Sequence, residues 1–220
     1  MIVLSILFFV TAILYSSVGF GGGSTYLALL LVWGIPYFVF PVIALSCNII
    51  VVSGNCFNYI KAGNLNLKLL LPYLIGSIPL AFIGGSLPIE KRLFEILLFL
   101  VLSIAGILLL LNFKSYDNKK ESYRKIPILF LIRAGRTKHI VTTASLFILI
   151  NSIFGIVGQI TKSSVLFEIS NYWYLLIAVF IGGQLGNFLN LKVFPTRILA
   201  MVTAILVIFV AVRLGFKILN

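Results

Sequence analysis

The chain has 220 residues, 61% of them hydrophobic and 10% charged, with a mean hydropathy of +1.17. Soluble domains carry roughly 25% charged residues, so a chain this apolar cannot cover itself with polar surface, and a water-soluble globular fold is excluded. The formal charge of +12 does not point to nucleic acid. The lysines and arginines stand in short islands between apolar runs, where they orient membrane segments, and no basic patch with interleaved aromatics forms outside those islands.

In chain order, no Lys, Arg, Asp, Glu or His precedes Lys61. The apolar run over 2–18 lacks the basic n-region of a signal peptide and predicts a retained first span. The glycine-rich stretch Gly19-Phe20-Gly21-Gly22-Gly23-Ser24 follows it. The apolar stretch over 25–33 is too short to cross a bilayer core, which takes about 17–25 residues of helix. It ends at Gly34-Ile35-Pro36 and predicts a half-helix or the continuation of a broken first span. Further spans are predicted over 38–60, 67–87 and 93–111. Residues 114–125 form the strongly hydrophilic stretch of the chain and are read as a cytoplasmic linker. A short apolar piece at 126–132 and a basic one at 133–139 precede spans over 140–160, 172–191 and 198–212. The expected fold is an all-α polytopic transmembrane helical bundle of about seven spans plus half-membrane elements.

A weak internal repeat suggests two related halves, 1–113 and 126–220, joined by the linker. Ala81-Phe82-Ile83-Gly84-Gly85-Ser86-Leu87 resembles Val179-Phe180-Ile181-Gly182-Gly183-Gln184-Leu185, and Ser46 and Ser53 share the seven-residue spacing of Ser145 and Ser152. Such repeats are characteristic of secondary transporters. Lys61, Lys68 and the linker cations fall on one side by span counting, and the positive-inside rule places that side in the cytoplasm. Cys47 and Cys56 lie nine residues apart in one predicted helix, on opposite faces, and no disulfide or metal site is expected from them.

Two features carry chemistry. A helix broken inside the membrane leaves unpaired N–H groups at the start of its second piece, and these with the helix dipole favour an anion. Gly21, Gly22 and Gly23 let the backbone approach a ligand, and Ser24 is placed to add a hydroxyl or to cap the half-helix. The competing reading is helix packing through the small-xxx-small pair Gly19 and Gly23. The second feature is a set of polar residues inside the spans. Asn48 lies on one helix with Ser46, Ser53 and Asn55. Ser145 and Asn151 lie on its counterpart with Ser152 and Gln159. These groups either coordinate an oxyanion or join helices by hydrogen bonds. No span interior holds an acid, base or histidine, so neither a buried proton relay nor an enzyme is expected, and no metal or cofactor is implied. Pro79 inside a span marks an expected kink.

The run from Gly19 to Leu29, with Gly34-Ile35-Pro36, Lys61-Ala62-Gly63, Ile83-Gly84-Gly85, Thr143-Ala144-Ser145 and Ile181-Gly182-Gly183 in order, resembles the sulfite exporter TauE/SafE family. The resemblance implies two related halves, each opening with a glycine-rich membrane element, and transport of sulfite or related sulfur-containing anions across the plasma membrane. On that pattern the second half lacks its opening span, about 25–30 residues. The expected function is a secondary transporter of a small anion, with Gly21, Gly22, Gly23, Ser24, Asn48, Ser145 and Asn151 as contacts. Its partners are that anion and the lipid bilayer, and the oligomeric state is open. An anion-conducting channel and a non-transporting membrane protein are the alternatives.

Overall fold

The structure is a computed structural model, and it describes residues 1–63, 65–111, 137–162, 170–189, 205, 208–212 and 214–216. Among them every regular element is helical. The first helix, α1, spans Ile2–Val18 and stops because Gly19 turns left-handed at φ 85. Gly19 N–H returns to the Ser16 carbonyl and Phe20 N–H to that of Tyr15, a closure that satisfies two orphan carbonyls. Helix α2, Gly23–Val32, starts from Gly22, itself left-handed at φ 78. The same closure ends α2, with Gly34 at φ 68 and bonds to Leu31 and Leu30. The glycine run is therefore a true break, and Gly19 and Gly23 do not share a continuous packing helix.

The chain folds back across this break. The Tyr15 and Thr25 hydroxyls bond at 2.7 Å, and the Phe8 ring lies 4.9 Å from that of Tyr26. A single 3-10 turn, Tyr37–Val39, leads into α3, Phe40–Lys61. Helix α4, Leu67–Ser86, is capped by Asn66, whose side chain accepts from Leu69 N–H, and it continues through Pro72 and Pro79. Helix α5 spans Lys91–Leu111, α6 spans Thr137–Ile160 and α7 spans Trp173–Leu189. Segments Tyr37–Lys61, Leu67–Ser86 and Thr142–Ile160 are each long and apolar enough to cross a membrane, and α1 and α2 are shorter apolar helices. The expected linker at 114–125, the piece at 126–132 and most of the expected span at 198–212 lie outside the described residues.

Helix α3 is central, touching α1, α2, α6 and α7. Around it, two pairs of helices pack through glycine. Gly182 and Gly186 of α7 bring that helix onto the Phe9 and Ile13 carbonyls of α1. Gly85 of α4 meets the backbone of Gly155 and Gly158 on α6, and a Cβ on Gly158 would stand 3.0 Å from the Gly85 Cα. Small residues let backbones touch where lipid supplies no hydrophobic drive. The core is built from Leu4, Phe8, Tyr26, Leu30, Ile43 and Val51 with Leu175 and Val179 of α7. Cys47 and Cys56 are buried free thiols.

Candidate functional site

The break between α1 and α2 lies against Asn48, which is near the middle of the 25-residue segment Tyr37–Lys61. The Asn48 amide is wedged between two glycines. A Cβ on Gly21 would stand 2.5 Å from its Oδ1, and one on Gly23 would stand 2.8 Å from its Nδ2. No larger residue admits this contact. Asn48 Oδ1 is buried without a hydrogen-bond partner among the described residues. At the start of α2 the N–H groups of Thr25 and Tyr26 bond Gly22 O. Those of Gly23 and Ser24 bond no acceptor among the described residues. The positive end of the α2 dipole, equivalent to about half a charge, is thus set near the middle of the Tyr37–Lys61 segment.

Gly23 and Asn48 open onto a half-open cavity of about 820 Å³ lined by residues of α2, α3, α4, α5 and α6. One wall is apolar and aromatic, with Tyr37, Phe38, Phe94 and Leu97. Another part of the lining is a stripe of α6. Ile148, Asn151, Ser152, Gly155 and Gln159 recur at three- and four-residue spacing, which places them on one helix face, and Lys162 follows one turn later. Ser152 and Gln159 are only 2% and 6% exposed. Lys162 is half-buried, its amide bonded to Gln159 O at 3.0 Å, and loss of water lowers its pKa from the usual lysine range. No carboxylate lines the cavity among the described residues.

Of the residues expected from sequence, the structure brings Gly23, Asn48 and Asn151 to this cavity. Asn151 Nδ2 bonds Phe147 O at 2.8 Å. Gly21 packs on Asn48 behind the wall, and Gly22 faces the Tyr15 ring rather than the cavity. Ser24 does not line the cavity, and it is not the cap of α2, a position that Gly22 holds without any side-chain bond. Ser145 is fully buried and donates a short hydrogen bond to the Gly19 carbonyl, fastening the break to α6. Asn55 and Ser53 serve the packing: Asn55 Nδ2 bonds Ser16 O at 2.7 Å, and Ser53 returns to Ile50 O. The sequence reading missed Lys162. Its signal was the continuation of the α6 stripe beyond the end of the span.

Residues 4–135, which hold α1 to α5, the break and Asn48, match the family model described as Sulfite exporter TauE/SafE. The chain belongs to the TauE/SafE family. It is also similar to the "Probable membrane transporter protein y4hK" of Sinorhizobium fredii (strain NBRC 101917 / NGR234). The two are 22% identical over 240 residues, covering 96% of each chain. No solved structure matches the chain. This TauE/SafE protein is a membrane transporter.

Proposed function

We propose that this TauE/SafE protein is a secondary transporter that moves a small sulfur-containing anion, sulfite or an organosulfonate, across the plasma membrane. The observation that carries the reading is the half-helix start at Gly22 and Gly23, set beside the Asn48 amide and open to the cavity. Unpaired N–H groups at a helix start bind anions, and discontinuous helices near the midplane are where transporters hold charged substrates. The amides of Asn48, Asn151 and Gln159 add neutral donors, and no lining carboxylate among the described residues repels an anion. A site of this kind binds through hydrogen bonds that can be released, as a carrier needs.

The cavity's size favours the organic member of the class. Pockets for drug-sized ligands run to roughly 300–1,000 Å³, whereas a water takes up about 30 Å³. A bare oxyanion leaves the wall of Phe94, Leu97 and Phe38 without a partner. The test is uptake of sulfite, sulfate and methanesulfonate into proteoliposomes. Saturable flux of a sulfur anion above empty liposomes supports the carrier. Flux that rises without saturation makes it a channel, and none from monodisperse protein refutes transport.

A further inference from the structure

Tyr37 and Asn48 line the cavity from the 3-10 turn and α3, and Asn151, Ser152 and Gln159 line it from α6. The α6 stripe runs from the level of Asn48, next to Ile148, to Gln159, about 16 Å of helix. Beyond that end stands Lys162, the single formally charged residue lining the cavity among the described residues. Its end of the bundle is the α4–α5 turn, since Gly158 packs on Gly85 and Ser86, and Pro88 and Ile89 line the same cavity. Lys61 and Lys68 stand at the opposite end of α3 and α4. Glu90 on the turn and Glu95 in the first turns of α5 offset Lys91 and Arg92. No acidic side chain bonds Lys162 among the described residues.

An ordinary interfacial lysine snorkels its ammonium into water beside a helix end. Lys162 instead contributes to a cavity wall and has lost part of its water. A charge at the mouth of a low-dielectric cleft focuses the field and raises the local concentration of ions of opposite sign. We infer that Lys162 is the capture charge of this transporter: an anion entering at the α4–α5 end meets it first and then passes along Gln159, Ser152 and Asn151 to Gly23 and Asn48. The inference rests on the anion reading above, but it assigns a residue, an entrance and a route which that reading leaves open.

The test compares wild type, Lys162→Gln and Lys162→Arg in methanesulfonate uptake, with binding measured by calorimetry on the same proteins in nanodiscs. Lys162→Gln is expected to raise KM about tenfold, hold kcat within about twofold, and flatten the fall of kcat/KM with ionic strength. Lys162→Arg keeps the wild-type pattern. A lysine that only anchors the helix end would leave the salt dependence unchanged, and unchanged KM and salt dependence in Lys162→Gln overturn the inference. Wild-type protein that binds methanesulfonate without moving it refutes the transporter reading, while a tenfold weaker binding by Lys162→Gln still supports the capture role. Wild-type protein that neither binds nor moves the anion overturns both.

Discussion

At the residue scale, the contact between the Asn48 amide and the two glycines makes the sharpest demand on sequence. Gly22 is held by its left-handed φ of 78, which penalises an L side chain by about 1–2 kcal/mol, and its Cβ would also strike the Tyr15 ring at 2.9 Å. Gly22→Ala therefore strains the fold and reports little about a ligand. Gly23 is different, because it is helical, lines the cavity and has only the Asn48 side chain to displace. Gly23→Ala is expected to turn the amide away while the protein still folds. Loss of one donor at about 1.4 kcal/mol raises KM about tenfold, and Asn48→Leu should match it. Ser24→Ala, outside the cavity, should change KM less than about twofold. Equal effects of Ser24→Ala and Gly23→Ala in proteoliposome uptake would place the contact elsewhere.

Sequence showed this site only in part. Glycines dense enough to break a helix, and amides inside an apolar run, are visible in one dimension. Which amide meets which glycine depends on how α3 and α6 are rotated against the break. Ser145 illustrates the difference: a hydroxyl on a membrane helix reads equally as ligand or joint, and its bond to the Gly19 carbonyl makes it a joint. Lys162 was hidden for the opposite reason. Lysines at span ends are common, and only the phase of α6 shows that this one continues the stripe of Gln159, Ser152 and Asn151.

At the element scale, the helix ends were far more legible than their partners. Apolar run lengths near one bilayer thickness, punctuated by Gly34-Ile35-Pro36, Lys61-Ala62-Gly63 and Pro88, set α1, α3, α4, α5 and α7 to within two residues and the start of α6 to within three. Pairing was not legible, because every helix is apolar on most faces and hydrophobicity cannot choose among them. Glycine chooses. Ile83-Gly84-Gly85 and Ile181-Gly182-Gly183 look alike in sequence, yet Gly85 seats α4 on α6 while Gly182 seats α7 on α1. Gly158 faces the Phe82 carbonyl and the Gly85 Cα, so a side chain there meets backbone that cannot rotate away. Gly158→Leu should lower the stability of the folded protein by about 1–3 kcal/mol or more, read as a lower unfolding temperature in detergent. Gly76 on α4 has open space around its Cβ position, and Gly76→Leu should leave that temperature unchanged. Equal loss in both would deny that the α4–α6 seam holds the cavity wall in place.

At the scale of the whole molecule, the cavity has two chemically distinct sides, and the proposed substrate must account for both. The α6 stripe with Lys162 suits an anionic group, while Phe38, Phe94, Leu97 and Val101 from the 3-10 turn and α5 suit a hydrocarbon. A methylene moved from water onto such a wall contributes up to about 0.8 kcal/mol. In competition against sulfite uptake, inhibition should then strengthen about twofold to fourfold per methylene from methane- to butanesulfonate. Partition into the bilayer would also favour longer chains, so the neutral butyl methyl sulfone is the control. It carries the same hydrocarbon but no charge for Lys162, and it should compete weakly at every concentration where butanesulfonate is effective. Inhibition that follows chain length only for the charged series assigns the two sides to one ligand. If sulfite and methanesulfonate compete best and longer chains lose affinity, the apolar wall is packing rather than binding surface. The transported anion then has to be small enough to be held where Gly23 and Asn48 face the cavity, without the apolar wall.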